Sequence, residues 1–285
     1  MIEVIHGDNI AALREMPDQS FDLIYIDPPF NTGREQRRTS LRTERSDDGD
    51  RVGFKGQRYT SIALGSKGYM DVFDDYLAFL EPRLREAHRL LTPAGSFFLH
   101  LDYREVHYAK VLLDAIFGRD CFTNDIIWAY DYGARSRTRW SAKHDNILWY
   151  VRNPAAFTFQ VDEADRIPYM APTLVGPEKA ARGKTPTDTW WHTIVSPTGR
   201  EKTGYPTQKP LGILERIVRV HSKSGDRLLD FFAGSGSFGD AADRHGRDVV
   251  LVDDNPAAID VMARRFAGRP ASFRRLDAPP GGHPC

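Results

Sequence analysis

Five short apolar runs that alternate with helix-like segments are the feature that most constrains the fold. The runs are IEVIH, FDLIYID, GSFFLHLD, DRLLDFF and RDVVLVD, and the helix-like segments lie near 9–16, 73–92, 104–117, 210–222, 237–245 and 256–266. Uninterrupted apolar runs of this length are typical of strands buried on both faces. The alternation therefore predicts an α/β protein with helices on both faces of a mostly parallel, twisted sheet.

Acidic residues follow four of these runs. Asp27, Asp102, Asp230 and Asp253 each stand where an apolar run ends, and two prolines after Asp27 prevent that strand from continuing. In open α/β sheets, ligands bind beyond the carboxyl ends of the strands. The sequence therefore predicts a binding site lined by acids at one edge of the sheet.

Length and composition indicate an intracellular globular protein. The 285 residues carry 39 basic and 39 acidic side chains, so no global field attracts a polyanion. Two cysteines, Cys121 and Cys285, are too few for a disulfide framework or a zinc cluster, and no histidine pair has metal-ligand spacing. We expect no metal, no membrane partner and, since no bilayer-length apolar run or secretory leader is seen, a cytoplasmic location.

Two regions lack sustained helix or strand periodicity. The first, 31–68, is rich in Arg, Gly, Ser and Thr; the second runs from about 131 to 205 and interleaves basic with aromatic residues. A long irregular stretch inside a compact domain is usually a functional loop or a disordered one. Composition alone leaves two interpretations open, a solvated surface and a nucleic-acid groove.

The segment LLDFFAGSGSFGDAA, residues 228–242, predicts a strand, a glycine turn and a helix. Glycine lets a backbone turn tightly and approach a ligand closely, and Asp253 at the next strand end could accept hydrogen bonds from a ribose. The loop contains no Lys or Arg, which argues against a phosphate-binding P-loop. The alternative is that these glycines only pack a helix on a strand.

Position in the chain narrows the choice between nucleotide-binding folds. Fewer than fifty residues follow Gly236, whereas a dinucleotide enzyme continues with several more strand–helix units. The rest of the sheet must come from the N-terminal half. The motif order is thus circularly permuted.

Three segments together resemble one enzyme family. GDNIAALREMPDQSFDLIYIDPPFNTG, YPTQKPLGILERIV and LLDFFAGSGSFGDAA, in this order, are similar to the β-class of S-adenosylmethionine-dependent DNA amino-methyltransferases. The resemblance covers most of the chain outside the two irregular regions. It implies a Rossmann-like class I methyltransferase fold, a single catalytic domain over 1–285, and transfer of a methyl group to an exocyclic base amine.

The resemblance assigns catalysis to Asp27, Pro28, Pro29 and Phe30. An exocyclic amine is a poor nucleophile because its lone pair is conjugated with the ring. Two acceptors, the Asp27 carboxylate and the Pro28 carbonyl, are implied to take its two hydrogens and to turn the lone pair toward the methyl group. Phe30 is implied to stack on a base rotated out of the duplex. The alternative roles are a turn cap for Asp27 and core packing for Phe30.

The resemblance also implies a binding site for S-adenosylmethionine. Its methionine end is expected on the glycine loop, its ribose at Asp253, its adenine near Asp8, and the T-Q-K-P segment on the opposite side, with Asp27 at the edge of the site. The cofactor-binding residues are accordingly Asp8, Asp27, Thr207, Gln208, Lys209, Pro210, Asp230, Phe231, Phe232, Ala233, Gly234, Ser235, Gly236 and Asp253.

DNA contacts are expected from the two irregular regions. The segment 31–68 is interpreted as a mobile basic loop that closes over a flipped nucleotide, and 155–204 as the target-recognition region. Trp190, Trp191 and Arg135 are candidate contacts. Double-stranded DNA is the expected substrate, and a second copy of the chain and a cognate restriction endonuclease are candidate partners.

Other functions stay open at this stage. Adenine N6 is favoured as the target because D-P-P-F goes with adenine more often in the family, and cytosine N4 is the main alternative. A non-catalytic DNA-binding protein on the same scaffold, a nicotinamide-dependent oxidoreductase and an RNA substrate are further alternatives. Intact motifs disfavour the first of these, and the permuted order disfavours the second.

Overall fold

The computed structural model describes residues 1–276 except 33, 46–50, 53–57, 72, 74, 134 and 197–198, and between 34 and 71 it describes the backbone only. The strands among these residues are β1 (Ile2–His6), β2 (Phe21–Ile26), β3 (Arg34–Arg45), β4 (Arg51–Val52), β5 (Arg58–Asp71), β6 (Leu91–Leu101), β7 (Phe122–Ala129), β8 (His144–Val151), β9 (Thr189–Trp191), β10 (Arg227–Asp230), β11 (Asp248–Asp253) and β12 (Ala271–Arg275).

Within the described part of the chain, the main sheet has nine strands in the order β12-β1-β11-β10-β2-β6-β8-β7-β9. All neighbouring strands pair in parallel except at β8, which is antiparallel to both β6 and β7. The predicted mostly parallel sheet is confirmed. Its centre joins the two ends of the chain, because β10 lies between β11 and β2, as the permuted order requires.

The helices cover the sheet, and three of them begin at side-chain caps. The helices are α1 (Asn9–Glu15), α2 (Tyr76–Leu90), α3 (Val106–Phe117), α4 (Pro177–Arg182), α5 (Leu211–His221), α6 (Ser237–Arg244) and α7 (Pro256–Arg265). The side chains of Asp8, Asp75 and Asn255 each accept a hydrogen bond from the first turn of the helix that follows. Such caps satisfy backbone N–H groups that have no partner inside the helix.

Two apolar clusters, one on each face of the sheet, hold the layers together. Central strand residues alternate between them: Ile24 and Ile26 pack in the cluster with α2 and α3, and Leu23 and Tyr25 pack in the cluster with α5 and α6. Burial on both faces explains why the central strands are apolar without interruption. The sheet is thereby rigid where it carries the acids at its carboxyl edge.

Two expectations from the sequence are corrected. The segment 31–68 was expected to be irregular, but β3 and β5 pair antiparallel from Arg34↔Asp71 to Arg45↔Tyr59 and form a long ribbon. Between these strands, residues 46–50 and 53–57 lie outside the described residues, and β4 pairs antiparallel with β5. The region from 131 onward was also expected to be irregular, but 144–151 forms β8, which is almost fully buried. Its apolar run NILWYV is short and follows a basic, polar stretch, which hid it from the periodicity argument.

No helix in the described part of the chain is long and apolar enough to cross a bilayer.

Candidate active site

A cavity of about 390 Å³ lies beyond the carboxyl ends of the central parallel strands. The walls come from both ends of the chain. Of the residues predicted from the sequence, those lining this cavity are Asp8, Asp27, Pro29, Thr207, Gln208, Lys209, Asp230, Phe231, Phe232, Ala233, Gly234, Ser235 and Asp253. The structure thus brings together most of the expected cofactor residues, and we call this space the first cavity.

The glycines of the 228–242 loop have different roles. Gly234 has a φ of +51° and faces the first cavity; a Cβ built there would lie 3.2 Å from the Tyr205 ring. At Gly236, with a φ of +72°, a Cβ would lie 2.8 Å from the Met262 side chain. Of these two glycines, only Gly234 lines the first cavity, where the absence of a side chain leaves space for a ligand. Gly236 instead serves helix packing, which corrects its expected place on the cavity wall.

Asp230 ends β10 almost fully buried, with 3% of its surface exposed. One of its oxygens accepts a hydrogen bond from the Phe232 N–H at 3.0 Å, and it forms no ion pair with a described residue. Burial raises the pKa of Asp230 well above its usual value. A buried carboxyl group that forms no ion pair within the described part of the chain fits the positively charged amino end of a ligand.

Asp253 ends β11 and is held by backbone donors. The Gly234 N–H donates to one oxygen at 2.7 Å and the Asn255 N–H to the other at 2.9 Å. Burial raises the pKa of Asp253 to about 6. A carboxylate has about four lone-pair sites, so it can still accept from ribose hydroxyls. These features fit the S-adenosylmethionine that the resemblance implies.

Asp8 combines a structural role with its place on the cavity wall. One oxygen caps α1 by accepting from the Ala11 N–H at 2.9 Å, and the other lies 3.7 Å from the Arg83 guanidinium. Arg83 also donates to Asn9 at 2.7 Å and stacks 3.9 Å above the Phe79 ring centroid. Sequence analysis missed Arg83 and Phe79, which line the same wall. Both come from α2, which carries no recognisable motif.

The D-P-P-F corner follows β2 directly. Lys209 Nζ donates to one Asp27 oxygen at 2.5 Å, while the other oxygen is buried and accepts no hydrogen bond from any described residue. The Pro29 carbonyl accepts from the Tyr76 hydroxyl at 2.6 Å, and Pro28 has no such partner among the described residues. A buried acceptor without a donor is costly. Asp27 therefore presents an unused acceptor at the cavity wall, whereas Pro28 is buried and does not line this cavity.

A second cavity of about 580 Å³ adjoins the first. Phe30 lines it, together with Asp102, Trp128, Tyr130 and Asp145. The two cavities share Tyr205, Thr207, Gln208 and Lys209 as a common wall. The T-Q-K-P segment thus separates two spaces. Pro210 lines neither cavity. It occupies the cap position directly before α5.

The common wall is strained and charged. Thr207 has a φ of +56°, which is rare for a residue with a branched side chain. The Lys209 ammonium lies 4.7 Å from the Phe30 ring centroid as well as beside Asp27. Backbone strain of this kind is concentrated at functional sites. Lys209 thus contacts the proposed catalytic corner, in addition to its expected place in the cofactor pocket.

A chain of buried hydrogen bonds runs behind Asp27 between the cavities. The Tyr25 hydroxyl lies 2.7 Å from His100 Nδ1, His100 Nε2 lies 3.3 Å from Asp145, and the Tyr130 hydroxyl donates to Asp145 at 3.1 Å. Burial alone would raise the pKa of Asp145, but the hydrogen bonds from His100 and Tyr130 hold it below its usual range. Sequence analysis missed this chain because its members come from separate strands.

The structure separates the remaining candidates. Asp102 is buried, pairs with Arg104 and lines the second cavity, in keeping with a place at the site. Trp190 is only 7% exposed and packs in the core, so its expected DNA contact is wrong, whereas Trp191 is 75% exposed. Arg135 is exposed and donates to Asp131. In the described residues, no group of three or more His, Cys, Asp or Glu side chains could hold a metal ion.

Comparison with known proteins gives one consistent family. Residues 21–264 match the family model described as DNA methylase, N6_N4_Mtase. The chain is 27% identical to the type II methyltransferase M.HpaI of Haemophilus parainfluenzae, over 96% of this chain and 77% of that protein. It is 28% identical to the DNA adenine methyltransferase YhdJ of Escherichia coli, over 92% and 82%.

The fold is also similar to that of solved structures. The PvuII DNA methyltransferase, named as cytosine-N4-specific, superposes with a TM-score of 0.62 at 16% identity, over 94% of this chain and 87% of that one. At this identity the likeness shows the fold alone. It confirms the predicted class I methyltransferase architecture.

Proposed function

The chain belongs to the DNA methylase family of N6-adenine and N4-cytosine methyltransferases, and from this premise we propose that it methylates N6 of adenine in double-stranded DNA. As a member of this family it is an S-adenosylmethionine-dependent DNA amino-methyltransferase. The observation that carries the choice of site is the unused, buried oxygen of Asp27, next to the wall that the two cavities share.

The first cavity is the proposed cofactor site. When bound, S-adenosylmethionine supplies a methyl group made electrophilic by the sulfonium. Asp230 would accept hydrogen bonds from its amino group, and Asp253 from its ribose hydroxyls. Gly234 leaves its side of the cavity free of a side chain. Asp8 is the proposed neighbour of the adenine ring, with Arg83 behind it.

The second cavity is the proposed site of the extruded base. Phe30 would stack on the base, which replaces part of the stacking lost when the base leaves the duplex. Asp27 and the Pro28 carbonyl would then accept the two amine hydrogens and direct the nitrogen lone pair toward the first cavity. Catalysis in this arrangement is mainly the positioning of the two reactants.

Lys209 has two roles in this proposal. Its ammonium donates to one Asp27 oxygen, which leaves the other oxygen as the acceptor that the orientation of the amine requires. Its ammonium also lies 4.7 Å from the Phe30 ring centroid, on the wall of the proposed base pocket. Asp27 thus acts in this proposal as an orienting acceptor.

The choice of adenine rests on the D-P-P-F motif and on the similarity to an enzyme named as an adenine methyltransferase. Cytosine N4 presents the same amine beside a ring nitrogen and could use the same acceptors. The region 155–204 is the proposed reader of the DNA sequence, and 31–68 the proposed cover over the nucleotide. The relatives named as type II methyltransferases support a cognate endonuclease as partner, and a homodimer is the proposed assembly.

Nucleoside mass spectrometry tests the function directly. Purified protein is incubated with S-adenosylmethionine and unmethylated genomic DNA, and the digested nucleosides are analysed beside an Asp27→Ala control. We expect N6-methyladenine from the wild-type protein only, and sequencing of the same DNA maps the methylated site. A dominant N4-methylcytosine peak would change the target base. The absence of both products would refute the proposal.

A further inference from the structure

The loop between β7 and β8 lies at the same edge of the sheet as Asp27. Because β7 runs parallel to β9 and antiparallel to β8, which in turn is antiparallel to β6, the end of β7 points the same way as the ends of β6 and β2. A backbone hydrogen bond from the Tyr130 N–H to the Lys143 carbonyl, 2.9 Å long, closes the base of the loop. We call residues 130–133 and 135–143, the described part of this loop, the edge hairpin.

The edge hairpin starts inside the second cavity. Tyr130 lines that cavity beside Phe30 and donates to Asp145, the second residue of β8. Both arms of the hairpin are thus anchored in the wall of the proposed base pocket. Trp140 is five residues along the chain from Asp145, which keeps it within about 18 Å of that wall.

Internal hydrogen bonds give the tip a defined turn. The Ser136 N–H donates to the Ser141 hydroxyl at 2.7 Å, and the Thr138 N–H donates to the Ser136 hydroxyl at 3.2 Å. These bonds enclose the sequence Arg-Thr-Arg-Trp at positions 137–140. A preformed turn loses less conformational entropy on binding than a floppy loop does.

The tip displays an aromatic ring and two cations. Trp140 is 98% exposed, although tryptophan is among the residues most buried on average. Arg137 and Arg139 are exposed and form no ion pair with any described residue. The whole chain has no net charge, so this cluster is a local basic feature rather than part of a general field. Cations beside a bare aromatic ring suit a partner that offers phosphates and stacked bases.

We propose that the edge hairpin enters the duplex, with Trp140 inserted where the target base leaves the stack and with Arg137 and Arg139 on the flanking phosphates. This inference rests on the proposed function, because it requires an extruded base. Extrusion costs unstacking energy, and large apolar side chains that wedge between base steps offset that cost in other DNA-binding proteins. Trp140 is therefore a positioning residue that favours the extruded state without touching the reacting atoms.

The first test compares two duplexes that carry the mapped site. One is fully paired and the other has a mismatch opposite the target base, which makes extrusion easier. Single-turnover methylation is measured for wild type, Trp140→Ala, Trp140→Phe and Phe273→Ala. Phe273 is the matched control because it is a partly exposed aromatic on β12, at the opposite end of the nine-stranded sheet.

We expect Trp140→Ala to be about tenfold slower on the paired duplex and nearly as fast as wild type on the mismatched one, since the mismatch removes much of the extrusion cost that the wedge offsets. Trp140→Phe and Phe273→Ala should keep most of the activity on both. An equal loss on both duplexes, or no loss on the paired one, would overturn the wedge. Wild-type protein that methylates neither duplex would refute the proposed function itself.

The second test needs no recognition site. Affinity for a random duplex is measured by fluorescence anisotropy across a range of salt concentrations for Arg137→Ala, Arg139→Ala and Arg14→Ala. Each phosphate contact contributes about one unit to the slope of log affinity against log salt. The two hairpin variants should each lose about one unit. Arg14, exposed in the last turn of α1, should lose none. Identical slopes in all three variants would remove the arginines from the proposal.

Discussion

The two cavities share one wall but differ in how they are built. The first is made of strand ends and a glycine turn, and its buried acids are held by short backbone bonds such as Gly234 N–H to Asp253. The second is made of aromatic side chains, a hairpin and a hydrogen-bond chain between strands. A cofactor of fixed chemistry demands fixed residue types at fixed spacing. A base pocket can be assembled from many segments, so it leaves a weaker trace in the sequence.

The largest expected effect falls on the boundary between the cavities. Replacing Asp27 with Ala removes an acceptor that acts mainly in the transition state, so we expect methyl transfer to slow by about a thousandfold. Cofactor affinity should barely change, because Asp230 and Asp253 are untouched. Single-turnover kinetics and calorimetry measure the two quantities separately.

Asp27→Asn is the matched control, since it keeps the shape and one acceptor oxygen. It should fall between wild type and Asp27→Ala in rate. If Asp27→Ala turns over near the normal rate, the acid is only a cap at the end of a strand. If it instead loses the cofactor, the division into two cavities is wrong at this residue.

Phe30→Ala should affect the second cavity alone. We expect it to weaken capture of the extruded base by about 1–3 kcal/mol, which is the range for base–aromatic stacking. A mismatch opposite the target should rescue this variant more than Asp27→Ala, because only the Phe30 defect lies in holding the flipped base. Equal rescue of both variants would argue that Phe30 packs the core and nothing more.

The central fold could be predicted from the sequence because its strands are buried on both faces. β1, β2, β10 and β11 have the predicted runs, and their acids meet at one edge as expected. β12 was missed because it is an edge strand that is mostly exposed and has the sequence ASFRR. The ribbon of β3 and β5 was missed because its residues have no apolar period that a buried face would impose.

The candidate site shows the same division. Motifs located most of the residues of the first cavity, because each strand-end acid follows an apolar run and Asp230 also comes shortly before the glycine turn. The hydrogen-bond chain from Tyr25 to Tyr130 has no such signal, since its members are brought together only by the pairing of β2, β6, β7 and β8. Arg83 was missed for a similar reason, because only the packing of α2 places it beside Asp8.

Lowering the pH should weaken cofactor binding in the first cavity, because it protonates Asp253. Burial raises the pKa of Asp253 to about 6, so about a tenth of it is ionised at pH 5 and nearly all at pH 8. If ribose hydroxyls bind the carboxylate, cofactor affinity should fall about tenfold from pH 8 to pH 5. Asp253→Asn should flatten this dependence, which separates Asp253 from Asp230, whose pKa is raised in the same direction.

Through Asp253, the stability of the cofactor-free protein should change with pH in the opposite direction to cofactor affinity, because it should fall as the pH rises. An acid with a raised pKa binds its proton more tightly in the folded state, so its contribution to stability is full below about pH 4 and declines as pH rises through 6. Thermal melting of wild type and Asp253→Asn from pH 4 to 7 measures this contribution to stability.

The affinity prediction has its own contrary outcome. A cofactor affinity that is flat across this range in the wild-type protein would show that Asp253 does not hold the ribose.

The smallest expected effects distinguish two neighbouring glycines. Both have positive φ, so alanine at either costs about 1–2 kcal/mol of backbone strain. Gly234→Ala also places a Cβ against Tyr205 in the first cavity, so it should weaken cofactor binding about fivefold, as roughly 1 kcal/mol of lost affinity implies. Gly236→Ala places its Cβ against Met262, so it should lower the melting temperature and leave the affinity of the folded protein nearly unchanged. Calorimetry below the melting transition measures both variants. Equal affinities for them would mean that the whole turn serves packing, and the first cavity would then owe its selectivity to the acids alone.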